Sequence, residues 1–215
     1  MKNKLKIDLV SDVVCPWCTI GYKRLEKAIT ELAIEDRVDI EWQPFELNPQ
    51  MPVAGENILE HLSGKYGSSL EDLRKSQAML TALGAAVGFT FNFADDMRMV
   101  NTFEAHVLLD YARENGKQTA LALRLATDFY THRKDVADRS VLMEAITAVG
   151  LEVEEAQHRL ANDETRYAVR SNEALWQQRG VTSVPTIVFN NKMAVTGAQP
   201  VDVFKEVLTE LIHQK

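Results

Sequence analysis

The stretch Val14-Cys15-Pro16-Trp17-Cys18-Thr19, VCPWCT, holds both cysteines of the 215-residue chain, three positions apart. Just upstream, Leu5-Lys6-Ile7-Asp8-Leu9-Val10 alternates and then turns apolar, which predicts a strand ending at Ser11-Asp12. Downstream the period changes. Leu25, Ala28, Ile29, Leu32 and Ala33 fall at i, i+3, i+4, i+7 and i+8, one face of a helix. Cys15 then sits at the N-terminus of that helix, with Pro16 at the first helical position, where the missing N–H costs nothing. Val38, Ile40 and Trp42 alternate with Asp39, Glu41 and Gln43 as a second strand, followed by Pro44-Phe45-Glu46-Leu47-Asn48-Pro49. Strand, helix and strand make a βαβ unit, and its right-handed crossover requires the two strands to be parallel.

The residues from about 50 to 180 carry no strand pattern and predict a run of helices. A capping box is expected at Ser68 with Glu71, an apolar helix face at Val141, Leu142, Ala145, Ile146 and Val149, and helix stops at Gly116 and Gly150. After Gly180 the strand period returns with Pro185-Thr186-Ile187-Val188-Phe189. The loop Asn190-Asn191 and the segment from Lys192 to Thr196 complete a hairpin. A last helix opens after Gly197, with Pro200 near its start and Val203, Phe204, Val207, Leu208, Leu211 and Ile212 as its buried face. The predicted order is βαβ, helical block, ββα. One α/β domain is made of residues 1–50 and 180–215, and the helical insertion of residues 51–179 divides it.

Composition narrows the function. Hydrophobic residues at 46% and charged residues at 26% are ordinary globular usage. A net charge of -7 with no dense Lys/Arg cluster opposes binding to a phosphate backbone, so no nucleic-acid partner is expected. The basic Met1-Lys2-Asn3-Lys4 start is not followed by a secretory apolar run, because Lys6, Asp8 and Asp12 interrupt it; a cytoplasmic protein is expected. No window reaches the ~18 apolar residues of a membrane helix, so no membrane association is expected either.

Three readings compete for the cysteines. A zinc site needs four ligands, and C-x-x-C supplies half; the histidines at 61, 106, 132, 158 and 213 show no spacing of three to five, so no metal is expected. Two cysteines can also pack as small hydrophobes. The redox reading needs a thiolate and a second thiol to resolve a mixed disulfide. A helix N-terminus favours a thiolate at Cys15, and Cys18, one turn on, can reach its sulfur. C-x-x-C beside a βαβ unit favours this third reading.

Together with Ser11-Asp12-Val13 before the cysteines, Ile20-Gly21 after them, Pro44 to Pro49, Asn101-Thr102 with Ala105-His106, Gly180-Val181-Thr182-Ser183-Val184-Pro185-Thr186 and Gly197-Ala198-Gln199-Pro200, the motif resembles the DsbA-like branch of the thioredoxin superfamily, and within it the FrnE-like cytoplasmic group. The resemblance implies a thioredoxin fold with a large all-helical insertion and a protein disulfide oxidoreductase or isomerase. Cys15 would be the nucleophile and Cys18 the resolving thiol. A cis Val184-Pro185 bond would face them and leave the Val184 backbone to pair with an extended substrate. Pro16, Trp17 and Asn101 are further candidate substrate contacts, although Asn101 equally suits a helix cap and His106 a packing role. The family's buried acid six residues before the first cysteine is replaced by Leu9, which leaves Asp12, or its neighbour across Leu9, Asp8, as the candidate proton-transfer group. Thr19 stands where an aromatic is common and would alter the rim of the cleft.

A disulfide-bearing protein or a small thiol is the implied partner, with no resident cofactor and glutathione as a candidate co-substrate. Two other functions stay open. One is a glutathione-dependent transferase or isomerase of the kappa or hydroxychromene-carboxylate type, whose members carry a lone nucleophile at the position of Cys15. The other is a holdase using an apolar face of the insertion.

Overall fold

The computed structural model describes residues 4–213. The first elements along the chain are β1 (Leu5–Ser11), α1 (Pro16–Glu31) and β2 (Val38–Pro44). A mainly helical stretch follows: β3 (Glu56–Asn57), α2 (Ile58–Tyr66), α3 (Leu70–Ala86), β4 (Arg98–Met99), α4 (Phe103–Glu114), α5 (Gln118–Tyr130), α6 (Arg139–Ala148), α7 (Val153–Ala161) and α8 (Asp163–Gln178). The hairpin β5 (Thr186–Phe189) and β6 (Met193–Thr196) and the helix α9 (Val201–His213) complete the order.

Two compact units emerge. One runs to Phe45 and resumes at Arg170, and the other is Glu46–Val169. These limits differ from 50 and 180 because the C-terminal half of α8 belongs with the sheet. Asn172 donates to the Gln43 side chain at 2.9 Å, and Trp176 is buried.

The first unit is built on a four-stranded sheet in the order β2-β1-β5-β6. β1 and β2 are parallel, in register from Leu5 opposite Val38 to Ser11 opposite Pro44. β5 runs antiparallel to β1, and β6 antiparallel to β5. Asn190 and Asn191 both take positive φ in the hairpin turn, where Asn costs less than other residues carrying a Cβ.

Alternation along β1 and β2 gives the sheet two unlike faces. Leu9 and Trp42 point to α1, where the Trp42 ring lies 4.9 Å from that of Tyr22. Asp8 and Gln43 point to α8, and their side chains bond each other at 2.7 Å. α1 also packs on α9, whose Phe204 and Leu208 are fully buried.

In the second unit, α4, α5 and α6 bury Leu108, Leu121, Leu125, Leu142 and Ile146. Gly116 and Gly150 follow helix ends with positive φ, as read from the sequence. Two local expectations change. The capping box lies one residue later, where Ser69 Oγ accepts from the Asp72 N–H and donates to its carboxylate. The stretch also contains a strand pair, β3 with β4, but each is two residues long, too short to leave a periodic pattern.

Candidate active site

β1 ends at Ser11, and the chain then turns tightly. The Cys15 N–H donates to the Asp12 carbonyl at 3.0 Å, which sets Cys15 as the N-cap of α1 in an extended conformation, with Pro16 in the first turn. No acidic residue occupies the first turn of α1, so no side-chain carboxylate there offsets the positive end of its dipole. Both cysteines are free thiols, and both are buried.

Their surroundings differ. Cys15 Sγ donates to the Val184 carbonyl at 3.8 Å, linking the helix start to the segment before β5. Cys18 is wholly buried, and burial pushes its thiol well above the ordinary 9.0. A hydrogen bond and a charge interaction with Cys15 push in the same direction, a backbone hydrogen bond at Asp12 opposes them, and the Asp12 carboxylate adds a smaller upward push.

The segment facing Cys15 is held from several sides. The Val184-Pro185 bond is cis. Thr186 Oγ1 donates to the Ser183 carbonyl at 2.7 Å, and the Gly197 N–H to the Pro185 carbonyl at 2.8 Å. A Cβ added to Gly21 would lie 3.2 Å from Pro185 Cγ and 3.4 Å from Ala198 Cα, so glycine lets α1 approach both loops. Arg24, one turn further on, donates to the Ala198 carbonyl at 2.5 Å. The sequence marks Gly21 only as part of the Ile20-Gly21 motif and gives no sign of the Arg24 contact. A small residue in an otherwise well-patterned helix is the signal that could have shown a close approach.

The remaining candidates divide. Pro16 is half-buried, and Trp17 exposes 36% of its surface, so a large aromatic ring sits beside the sulfurs and open to a partner. Asp12 is buried next to Cys18. Asp8 lies on the opposite face of the sheet, where burial raises its carboxyl above the usual 3.8. The Gln43 hydrogen bond and the Lys6 charge pull it down, and its second oxygen has no hydrogen-bond partner among the described residues. Leu9, on the α1 face, is apolar and fully buried.

Thr19 is buried and so does not form an exposed rim. Asn101 belongs to the second unit, where its Oδ1 accepts from the Phe103 N–H at 3.0 Å and its Nδ2 reaches Glu46 at 3.4 Å. Asn101 thus stands one residue before the N-cap of α4, which is Thr102, rather than at the cap itself. His106 is buried in α4.

These features define a dithiol at the start of a helix, on a thioredoxin-type sheet with a helical insertion. The chain belongs to the family of DsbA-like thioredoxin domains, whose model matches residues 6–209. Family members are disulfide oxidoreductases.

A probable DsbA oxidoreductase from Streptomyces coelicolor is 32% identical and superposes with a TM-score of 0.91 over 98% of this chain and 91% of its own. The Bacillus subtilis protein YwbO is 25% identical over 207 residues, covering 95% of this chain and 96% of its own. The cytosolic disulfide reductase DsbM from Pseudomonas aeruginosa, solved with glutathione, shares the fold at a TM-score of 0.66 and 19% identity, over 97% of this chain and 100% of its own.

Proposed function

We propose that this chain is a thiol–disulfide oxidoreductase in which Cys15 is the nucleophile and Cys18 the resolving thiol. The observation that carries the reading is the asymmetry of the pair. Cys15 stands at the helix start against the Val184 carbonyl, whereas Cys18 is deeper and its thiol is pushed up.

In the reducing direction the Cys15 thiolate attacks one sulfur of a substrate disulfide, the S–S bond breaks, and the first substrate thiolate leaves. Cys18 then gives up its proton and attacks Cys15 Sγ. The mixed disulfide breaks, the second substrate thiolate leaves, and the two electrons the substrate has gained are those lost as Cys15–Cys18 forms. Asp12, buried beside Cys18, is the group that takes that proton. Run in reverse, the same steps oxidise a substrate dithiol.

A disulfide-bearing protein segment would lie over Val184-Pro185 and pair with the Val184 backbone, with Trp17 as an apolar contact. Glutathione suits the same chemistry as a small co-substrate, and DsbM offers a precedent on this fold. The cytoplasm is the proposed compartment, since a chain with two cysteines, both in the motif, has no other disulfide to maintain. Among the described residues, no helix is long and apolar enough to cross a membrane.

A redox equilibrium titration in thiol buffers, read by tryptophan fluorescence and by mass, tests the reading. It should show one reversible two-electron transition and an intramolecular Cys15–Cys18 disulfide. Cysteines that stay reduced across the titration would remove the dithiol mechanism. A midpoint near about -270 mV would match a thioredoxin-like reductant, and one near about -120 mV a DsbA-like oxidant.

A further inference from the structure

The face of the sheet that carries Asp8 is covered by α8 at β1 and β2, but at β5 and β6 it opens into a cavity of about 480 Å³. Thr186 and Val188 form its floor, being opposite Val10 and Asp8 in the β1 register. Trp176, Arg179, Asn191 and Lys192 line it as well. The size falls in the range of small-molecule sites, roughly 300–1,000 Å³.

Charge sets this cavity apart. Acidic residues outnumber basic ones by 31 to 24 along the chain, yet none lines it. Arg179 and Lys192 have no carboxylate partner among the described residues. Arg179 lies over the Trp176 ring at 4.8 Å and gives one N–H to Asn191 Oδ1 at 3.2 Å, two contacts that orient its planar guanidinium. Trp176 is itself buried and adds an indole ring to the lining.

A second cavity of about 340 Å³, in the other unit, is also rich in cations, but they are engaged. Lys134 pairs with Glu144, Arg133 with Asp96, and Arg98 bonds the Ala54 and Gly55 carbonyls.

We propose that the cavity beside β5 and β6 binds a small organic anion through a carboxylate or phosphate group held between Arg179 and Lys192, with Trp176 as its apolar wall. A guanidinium fixed by stacking is suited to two parallel hydrogen bonds to such a group, and the lysine adds a second positive charge without a competing carboxylate.

Isothermal titration of the full chain at low ionic strength, with citrate and with inorganic phosphate as the two probes, tests this. At least one probe should bind saturably at one site. Its affinity should fall at least about tenfold in Arg179→Met and in Lys192→Gln, which is the loss of one charge-assisted contact. Binding of citrate alone or of phosphate alone supports the proposal and names the group. The double Cys15→Ser, Cys18→Ser protein should bind as the wild type does, so the outcome is independent of the redox reading. Absence of saturable binding by both probes, or unchanged affinity in both cavity variants, overturns the proposal; Lys192 is exposed, so its substitution leaves the fold intact.

Discussion

The two faces of the central sheet are put to different uses. Under α1, the side chains of Leu9 and Trp42 make an apolar seat, and the helix they support begins at Cys15. Under α8, one residue along each strand, Asp8, Gln43 and Asn172 form a polar chain with Lys6 and Glu41 at its edge. The period of two in a strand keeps these environments apart. The cysteines thus follow the apolar face, with Asp12 of the connecting turn as the acid beside Cys18, while Asp8 of β1 points to the other face.

The contrast breaks most sharply at the cysteines. Cys15→Ser should lower disulfide turnover by at least about a hundredfold, since no other residue supplies a nucleophilic sulfur at that position. Asp8→Asn, on the other face, should leave turnover within about twofold of the parent. An insulin-reduction assay on both proteins makes the comparison. A turnover loss in Asp8→Asn matching that in Cys15→Ser would mean that the two faces are coupled.

Gly21→Val should come next. The added atoms would press on Pro185 and on the Ala198 backbone, and overpacking of this kind costs about 1–3 kcal/mol. Thermal unfolding should show a fall of roughly 2–4 °C per kcal/mol in a chain of this size. An unchanged midpoint would mean that the two loops yield freely.

Asp8→Asn should move stability the other way, upward at neutral pH, because it removes a charge that burial disfavours. The sign follows from linkage. Burial raises the folded carboxyl above 3.8, so the folded state binds the proton more tightly, and the native chain loses stability as pH rises through that raised value. The advantage of Asp8→Asn should therefore be full at neutral pH and vanish as pH falls below 3.8. Unfolding curves at pH 3, 5 and 7 read it.

The smallest effect is expected at alkaline pH. Cys18 is pushed above 9.0, so the reduced protein should lose stability once pH exceeds that value. Cys18→Ser removes the titrating group and should flatten that slope. Tyr22, also raised by burial and by Glu26, begins to contribute only beyond 10.0.

Much of this was legible in the sequence because it depends on local periodicity. The alternation in Leu5 to Val10 and Val38 to Trp42, the helical stripe from Leu25, the paired asparagines of the hairpin and the glycines after α4 and α6 are all patterns over a few residues. Contacts between distant segments were not legible. Nothing in Asn172 announces Gln43, and nothing in Arg24 announces Ala198, because those partners are set by how the helices pack. Asn101 shows the limit of motif reading. The same polar side chain serves a cap or a ligand, and only geometry showed the bond to Phe103.

The most direct measurement of the central claim is trapping. Cys18→Ser should be incubated with a disulfide-bearing peptide and its mass recorded without reduction, alongside Cys15→Ser. The account predicts a stable mixed disulfide through Cys15 in the first protein and none in the second. A mixed disulfide on Cys18 in Cys15→Ser, with none on Cys15 in Cys18→Ser, would reverse the roles assigned to the two sulfurs.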